Sequence, residues 1–469
     1  MIKTKKNGLS KALFLSVVAL AWPTMLQELL QTAVQYIDTA MVGSLGTAAT
    51  AAVGATTTIN WLVNSTISAI GIGFLALISQ AYGAGDKSLA HRASAQSVLL
   101  TVISGALFTA LCLGLSSFVP QWMQVETGIR DMAAKYFFVL YSPMLFRAAI
   151  IIFGVVLRSV GDTKTPMVVG LIVNIVNVIL NFLLIYPTRV VEVFGLKLTV
   201  FGADLGVIGA AAASAVAFVA GGVIITIKFW RHPDVSPKGQ SFRFDMSILK
   251  PCFKVAFPNA LQRFGTCMGY VAFAAMVNSL GEVATAAHTI ANTVESAFYI
   301  PGYGMQAAAA TLAGNALGAK DKDKIKALCK MLILIEVVLM VISGGLLFAF
   351  APNMMTLFSS DSSVILLGTM VLRMVALSEP FFGVSIIVEG MMQGMGKTLM
   401  PFVANILGMW GVRIVGTLIC TQVLGYGLVS AWGCMILHNL LLFAMFAVYL
   451  VSGRYNPLNK NKSKITKTS

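Results

Sequence analysis

The heptapeptide AWPTMLQ at residues 21–27 returns as AFPNALQ at residues 256–262, with four of its seven residues unchanged. Its proline moves from Pro23 to Pro258, an offset of 258 − 23 = 235. Other segments match at the same offset: Ser44-Leu45-Gly46 with Ser279-Leu280-Gly281, AYGAGDK at 81–87 with ALGAKDK at 316–322, Gly161 with Gly396, and Pro166 with Pro401. Repeated matches at one unchanged offset indicate that the chain is a duplicated unit.

The composition is that of a membrane protein. Of the 469 residues, 57% are hydrophobic and only 11% are charged, and the mean hydropathy is +0.84, whereas soluble domains are about 25% charged. A spanning helix needs about 20 apolar residues. That requirement predicts twelve helices, at residues 13–38, 53–77, 93–118, 134–157, 166–187, 206–227, 251–278, 284–311, 327–350, 364–390, 400–421 and 427–451.

The repeat and the helix pattern together predict the fold class, an all-α membrane protein with twelve transmembrane helices in two six-helix lobes. Because each unit has an even number of helices, the two units are parallel repeats, related by an axis along the membrane normal. We expect an N-lobe at residues 1–230, a cytoplasmic linker at 231–250, and a C-lobe with a basic tail at 251–469. Such pairs of bundles commonly place a substrate site between them and work by alternating access.

The net charge of +15 indicates orientation rather than a nucleic-acid partner. Of the 33 Lys and Arg residues, 25 lie in the segments on the side of the N-terminus, four lie in the opposite loops and four lie within helices. The positive-inside rule therefore predicts that both termini are cytoplasmic. We expect a multi-pass protein of the plasma membrane, in a bacterium the inner or cell membrane, with the lipid bilayer as its surroundings.

Helix 1 carries a polar stripe in an apolar setting. At 100° per residue, Gln27, Gln31, Gln35 and Asp38 fall in one narrow sector of the helix. An acidic residue at the helix centre costs about 2.5–3.5 kcal/mol on insertion scales, so the stripe must face a bundle interior or a water-filled cavity. The glutamines fit substrate contacts or interhelical hydrogen bonds equally. An intramembrane carboxylate is a functional hypothesis by default, so Asp38 is the first candidate residue.

Helix 5 supplies a matching polar face. Asn174, Asn177 and Asn181 recur at helical spacing on one side, and helix 6 offers Ser214. Oxygen ligands around a carboxylate suit Na⁺, a hard cation, and the same carboxylate could carry H⁺ instead. The expected coupling ion is therefore Na⁺ or H⁺. No cofactor is expected, and because the six cysteines are scattered, neither a metal site nor a disulfide framework is predicted.

Four motifs give the chain a resemblance to a known family: DTAMVGSLG at 38–46, QAYGAGD at 80–86, LRSVGDTKTP at 157–166 and AAHTIAN at 286–292. In order and spacing they resemble the multidrug and toxic compound extrusion (MATE) transporters, over essentially the whole chain. The resemblance implies a cation-coupled antiporter, not an enzyme, that exports small organic cations driven by inward Na⁺ or H⁺. We expect it to act as a monomer.

The resemblance also implies a cation site. Part of the family uses an Asp in helix 1, an Asn and an Asp four residues apart in helix 5, and a Thr in helix 6. These positions fall on Asp38, Asn177, Asn181 and Ser214. Asn181 replaces the second acid, so one anionic ligand is missing.

A second branch of the family uses carboxylates in helices 7 and 10, where this chain has Thr266 and Phe382. Other C-lobe acids remain, and Glu295 follows Asn60 by 235 residues. Glu295 is a secondary candidate for substrate binding, and the alternative is an ion pair with Arg263 or Arg413.

Helix 1 contains Pro23, at the position of a family proline implicated in bending, where the lost backbone hydrogen bond would permit rearrangement. The alternative is a proline near the helix start, which is common.

The nearest rival function is that of a flippase for lipid-linked precursors, from the same superfamily. Such a protein should line its cavity with basic residues that hold pyrophosphate, and four arginines lie within predicted helices: Arg147, Arg263, Arg373 and Arg413. The acid and amides of helix 1 favour a cationic cargo instead. A membrane enzyme would need a nucleophile or metal constellation, and none is visible in the sequence.

Overall fold

The computed structural model describes residues 2–193 and 196–461. The end of the predicted basic tail, residues 462–469, lies outside the described residues. In the first half of the chain the helices are α1 (Ile2–Gly43), α2 (Thr47–Gly83), α3 (Lys87–Leu115), α4 (Val119–Trp122), a 3₁₀ turn (Thr127–Ile129), α5 (Arg130–Tyr141), α6 (Met144–Ser159), α7 (Lys164–Leu184) and α8 (Gly206–Arg231). A hairpin of β1 (Pro187–Val193) and β2 (Leu196–Ala203) separates α7 from α8.

The second half repeats this order without the hairpin. Its helices are α9 (Met246–Asn278), α10 (Glu282–Gly318), α11 (Lys322–Phe358), α12 (Ser362–Ala376), α13 (Glu379–Gly394), α14 (Leu399–Ile406), a π-helix (Leu407–Ile414), α15 (Val415–Leu418), a second π-helix (Ile419–Val423), α16 (Leu428–Val451) and a 3₁₀ turn (Pro457–Asn461). From α14 to the second π-helix the chain is one continuous helical span, Leu399–Val423.

Helix boundaries confirm the predicted repeat. Helix α2 runs from Thr47 to Gly83, and α10 runs from Glu282 to Gly318. Both the start and the end are therefore displaced by 235 residues. The starts of α3 and α11, and of α7 and α14, differ by the same number. The two copies therefore share these helix ends.

Both copies also bend one span at the same place. The pairs α5–α6 and α12–α13 are bent by 50° and 54°. The first break lies between Tyr141 and Met144, and the second between Ala376 and Glu379, again 235 residues later. Pro143 in the first break and Pro380 just after the second remove backbone donors from the helix, so these predicted single helices are broken spans.

The twelve predicted spans can each be found in the described residues. Eight helices there are long and apolar enough to cross a membrane, and the two bent pairs bring the number to ten. The remaining two, α9 and α10, are less apolar but have 33 and 37 residues. The protein is thus an all-α membrane protein of twelve helices in two repeated sets of six.

The hairpin of β1 and β2 was not predicted, although its sequence favours strands. Val190 and Val191 of β1 pair with Thr199 and Leu198 of β2 in an antiparallel register. β-branched residues are enriched in strands, and the segment is too short and too polar to span the membrane.

Contacts divide the chain into two compact units. The first contains residues 1–28, 75–87 and 250–469, and the second contains 29–74 and 88–249. One unit boundary therefore falls at the end of the predicted linker, whereas the start of α1 and the end of α2 belong to the first unit. The predicted lobe boundaries themselves stay a prediction.

Within the first unit, the start of α1 packs on helices of the second repeat. Leu13, Val17 and Ala21 are buried in one apolar cluster with residues of α10, α11 and α13. Pro23 lies inside α1 without ending it. The hydroxyl of Thr24 donates to the carbonyls of Ala21 and Gly304, each at 2.8 Å.

Candidate functional site

The carboxylate of Asp38 is held by an amide of the neighbouring helix. Asp38 lies half-buried in α1, one turn before the helix ends at Gly43. Nδ2 of Asn181, a buried residue of α7, donates to Asp38 Oδ1 at 2.5 Å. In the described part of the chain, Asp38 forms no ion pair with a Lys or Arg, so its charge is balanced by dipoles alone.

Two further polar groups complete the cluster. Asn177 stands one turn before Asn181 on α7, and their side chains lie 3.3 Å apart. On its other side Asn177 lies 2.9 Å from Oγ of Ser214 in α8. The predicted cation-binding residues are therefore brought together around one carboxylate.

The amide of Asn177 fits best with its nitrogen towards Asp38. In that orientation Nδ2 donates to Asp38 Oδ1 at 2.8 Å and to Oδ2 at 3.2 Å, while Oδ1 accepts from Ser214 Oγ at 2.9 Å. Amide oxygen and nitrogen have nearly the same shape, and the hydrogen-bond network decides between them. With this orientation both carboxylate oxygens of Asp38 accept hydrogen bonds from α7.

Small residues bring α7 and α8 close enough for these contacts. Gly209 of α8 packs on the carbonyl of Leu184, and Gly221 packs on Val173. A side chain at either glycine would collide with α7, because the space for a Cβ atom is already taken. Small residues commonly allow such close approach between membrane helices, and here they set the distance between Ser214 and Asn177.

The C-terminal end of α1 is fixed next to this cluster. Tyr186, just after α7, donates from its hydroxyl to the carbonyl of Met41 at 3.2 Å and lies 2.9 Å from Oγ of Ser44. Met41 belongs to the last turn of α1, where carbonyls lack helical partners. The guanidinium of Arg189 stacks on the rings of Phe182 and Tyr186, 4.1 and 4.2 Å from their centres.

The predicted substrate-binding residues are divided between the two compact units. Gln31 and Gln35 are exposed on α1, and Asn174 is half-buried on α7, all in the unit that holds Asp38. Gln27 and Glu295 belong to the other unit. Their role in substrate binding stays a prediction.

Glu295 is buried in α10 and interacts electrostatically with Arg413. The two side chains do not form an ion pair within 4 Å in the described residues. The predicted alternative, an ion pair of Glu295 with an arginine, is therefore present only as a longer-range interaction with Arg413. Arg413 itself lies in the first π-helix, over the rings of Tyr270 and Phe273 at 4.9 and 4.2 Å.

The four arginines within helices have separate partners. Arg147 is buried over the ring of Phe218 at 4.7 Å, and Nε of Arg263 donates to Asn259 at 3.1 Å. Arg373 stacks over Phe348 at 5.4 Å. Each guanidinium therefore lies near a ring or an amide, and Arg147 Nη1 and Arg413 Nε are buried without a hydrogen-bond partner in the described residues.

One further buried acid was not among the predicted site residues. Glu336 of α11 is 0% exposed, and neither of its carboxylate oxygens has a hydrogen-bond partner in the described structure. The sequence does indicate Glu336, because this acid interrupts the apolar run LILIEVVLM at 332–340. A membrane carboxylate is a functional hypothesis by default.

A model of a known protein family matches the chain twice, once in each repeat. The sequence model of the MatE family matches residues 23–183 and again residues 258–419. The two matches begin at Pro23 and Pro258, the pair that defines the offset of 235.

Individual relatives match over nearly the whole chain. A probable multidrug resistance protein NorM of Thermotoga maritima is 26% identical over 94% of this chain and 92% of the relative. A probable multidrug resistance protein YoeA of Bacillus subtilis is 23% identical over 87% of each chain. The crystal structure of a mutant of the Vibrio cholerae MATE transporter VcmN has a TM-score of 0.86 at 20% identity, and covers 96% of this chain and 99% of that one.

The duplicated six-helix unit and the polar cluster inside it define a multi-pass membrane transporter. Since the family model covers more than half of the residues, the chain belongs to the MatE family, as the motifs predicted.

Proposed function

We propose that this protein exports organic cations in exchange for inward Na⁺ or H⁺, with the carboxylate of Asp38 as the group that both ions and substrate compete for. The observation that carries the proposal is the contact of Asp38 with Asn181 and its closeness to Asn177 and Ser214. A membrane carboxylate surrounded by neutral oxygen and nitrogen groups has no cationic side chain to neutralise it. Its negative charge therefore attracts a cation from solution. The relatives named as multidrug resistance proteins support an export function.

The proposed cycle depends on the charge of Asp38. When Asp38 is ionised, its negative charge favours a cationic, partly apolar substrate. When Na⁺ or H⁺ occupies the site, the charge is neutralised, the amides of α7 rearrange and the substrate leaves outward. Only a difference in affinity between the two states of the protein can drive this shift.

The surroundings of the four arginines favour a cationic cargo over a lipid pyrophosphate. A pyrophosphate site needs basic side chains that converge, because phosphate oxygens are bound best by charged donors. Arg147, Arg263, Arg373 and Arg413 each have a local aromatic or amide partner instead. We further propose that the protein lies in the bacterial cell membrane with both termini cytoplasmic, as its Lys and Arg distribution predicts.

Transport in proteoliposomes tests this function. Ethidium, a fluorescent lipophilic cation, is loaded inside, and a Na⁺ gradient or a pH gradient is imposed separately. We expect one of the two gradients to drive ethidium out of wild-type vesicles, and Asp38→Asn to abolish that driven efflux. The gradient that works identifies the coupling ion.

The matched control is Asp131→Asn. Asp131 is an exposed residue of α5 that pairs with Lys135 at 2.7 Å, so the same chemical change there should leave efflux unchanged. Gradient-driven efflux by Asp38→Asn at the wild-type rate, from vesicles with equal protein, would exclude Asp38 as the coupling group.

A further inference from the structure

The second repeat contains a carboxyl group enclosed by apolar helices. Glu336, in the middle of α11, is fully buried, and both of its oxygens lack hydrogen-bond partners in the part of the chain that the structure describes. It fits into a niche made by two glycines. A methyl group on Gly302 of α10 would come within 2.6 Å of Glu336 Oε1, and one on Gly383 of α13 within 3.1 Å of its Cγ.

A second unsatisfied acid stands one turn before Gly383 on α13. Glu379, 1% exposed, begins α13 directly after the bend in that span, and its Oε2 has no hydrogen-bond partner among the described residues. Glu379 interacts electrostatically with both Glu336 and Glu295. Three acids of α10, α11 and α13 therefore share one buried region.

The cations near this region do not balance three negative charges. Glu295 interacts with Arg413, but the exposed Arg373 of α12 donates to the carbonyl of Phe348, an exposed residue of α11, at 3.4 Å. Tyr299 and Tyr303 of α10 also interact electrostatically with Glu379, and both are neutral in their phenol form. An isolated carboxylate is very costly to bury without a partner and neutralises instead.

A single proton is enough to neutralise a carboxylate in this apolar region. In the described residues, no group of three or more His, Cys, Asp or Glu side chains is arranged to hold a metal ion. A protonated carboxyl group needs no counter-charge, and the glycine niche leaves room for it.

We propose that Glu336 and Glu379 form a proton-binding site in the second repeat, which holds at least one proton in this conformation and releases it to water when the helices around the bend between α12 and α13 open. Its residues differ from those of the branch that uses acids in helices 7 and 10, where this chain has Thr266 and Phe382, although Glu379 also lies in helix 10. The claim that this site takes part in coupling rests on the proposed export function. The claim that it binds a proton does not.

Infrared spectroscopy of the purified protein tests the proton itself. The carbonyl stretch of a protonated carboxyl group is separate from the bands of carboxylates and shifts in D₂O. At neutral pH we expect this band in the wild type and a smaller band in both Glu336→Gln and Glu379→Gln. Glu282→Gln, at the exposed first turn of α10, is the matched control and should leave the band unchanged.

Absence of the band from the wild type would overturn the proposal, whether or not the variants fold. A band that is equal in the wild type and both variants would also overturn it, because the proton would then belong to other groups.

Substrate-linked proton release tests the coupling. Ethidium is added to the purified protein in weak buffer, and the released protons are counted with a pH-sensitive dye. We expect the wild type to release more protons per bound ethidium than Glu336→Gln. If Glu336→Gln releases as many protons as the wild type, the carboxyl group is static and the coupling part of the proposal is wrong. Failure of Asp38→Asn to reduce driven efflux counts against the proposed function alone.

Discussion

At the scale of single residues, the amide at position 181 is the main feature of the cluster around Asp38. In part of the family this position holds an acid, whereas here Asn181 donates a hydrogen bond to Asp38. The amide nitrogen stabilises the ionised form of Asp38 without a cation, while Asn181 Oδ1 is buried without a hydrogen-bond partner in the described residues. A second carboxylate would repel Asp38 and would need a cation to hold the two together.

Asn181→Asp should therefore make the cluster dependent on Na⁺. We expect the variant to be less stable than the wild type without Na⁺, because a charged hydrogen bond worth about 1.5–3 kcal/mol is replaced by repulsion. Added Na⁺ should raise its thermal midpoint more than that of the wild type, since a ligand that binds only the folded state stabilises it. Thermal unfolding in NaCl against choline chloride measures both effects.

The control for this prediction is Asn174→Asp, one turn before Asn177 on the same helix. It adds the same charge without replacing a contact to Asp38, so its dependence on Na⁺ should be weaker. An Asn181→Asp protein that unfolds at the same temperature in both salts would contradict the idea that position 181 decides the demand for a cation.

At the scale of elements, α2 and α10 cross through a reciprocal glycine contact. Gly83, at the end of α2, packs on the carbonyl of Asn315, and Gly318, at the end of α10, packs on the carbonyl of Gln80. These pairs are related by the repeat, because 315 − 80 = 318 − 83 = 235. At each crossing the backbone oxygen occupies the space that a Cβ atom would take, so the helices can approach this closely only with glycine.

Gly318→Ala should separate the two helices and destabilise the protein. Forcing an extra group into a packed site costs about 1–3 kcal/mol, and this contact is with backbone, which cannot rotate away. Gly345→Ala in α11 is the control, since a Cβ atom there meets nothing within 4 Å. Thermal unfolding should show a lower midpoint for Gly318→Ala only; equal midpoints would mean that the crossing yields without cost.

The connector between α8 and α9 is tied to the start of α3. Arg92 pairs with Asp245 at 2.5 Å, and His91 Nδ1 lies 2.6 Å from the carbonyl of Ser236. The side chain of Gln96 bonds the backbone twice, donating to the carbonyl of Arg243 at 2.8 Å and accepting from the amide of Asp245 at 3.1 Å. The hydrogen bond from the Ser247 hydroxyl, followed by that from Arg92, lowers the pKa of Asp245 below its ordinary value.

This attachment should weaken in acid. Because the pKa of Asp245 is lower in the folded protein than in the free chain, its stabilising effect is complete above the ordinary aspartate value, about 3.9. The effect is lost as the pH falls through the lowered value. A spin label on Ser241→Cys should be immobile at neutral pH and become mobile only in strong acid.

Arg92→Gln should make the same label mobile already at neutral pH. Lys238→Gln, which removes an exposed charge from the same connector, is the matched control and should leave the label immobile. A label whose mobility is the same in all three proteins would show that the Arg92–Asp245 pair does not hold the connector.

At the scale of the whole molecule, sequence predicted what depends on local pattern and repetition. The repeat, the helix count and the group around Asp38 follow from apolar length, from a fixed offset and from helical spacing. The bends near Pro143 and Glu379 and the hairpin after Tyr186 were not predicted, because a window long enough to find a span averages over a break or a short strand. Glu336 was not among the predicted site residues, although it interrupts an apolar run, and only packing reveals that its carboxylate is unpaired among the described residues.

Orientation in the membrane is the property of the whole chain that the sequence predicts most directly. The bias of 25 to four Lys and Arg residues between the two sides predicts cytoplasmic termini and an external hairpin. Alkaline phosphatase needs disulfides that form outside the cytoplasm, so a fusion after Ala203 should be active in a bacterial host. Fusions after Arg231 and after Val451 should be inactive, while a green fluorescent protein at Val451 should fluoresce. The reverse set of activities would invert the proposed transport direction, because Asp38 and the hairpin would then face the cytoplasm.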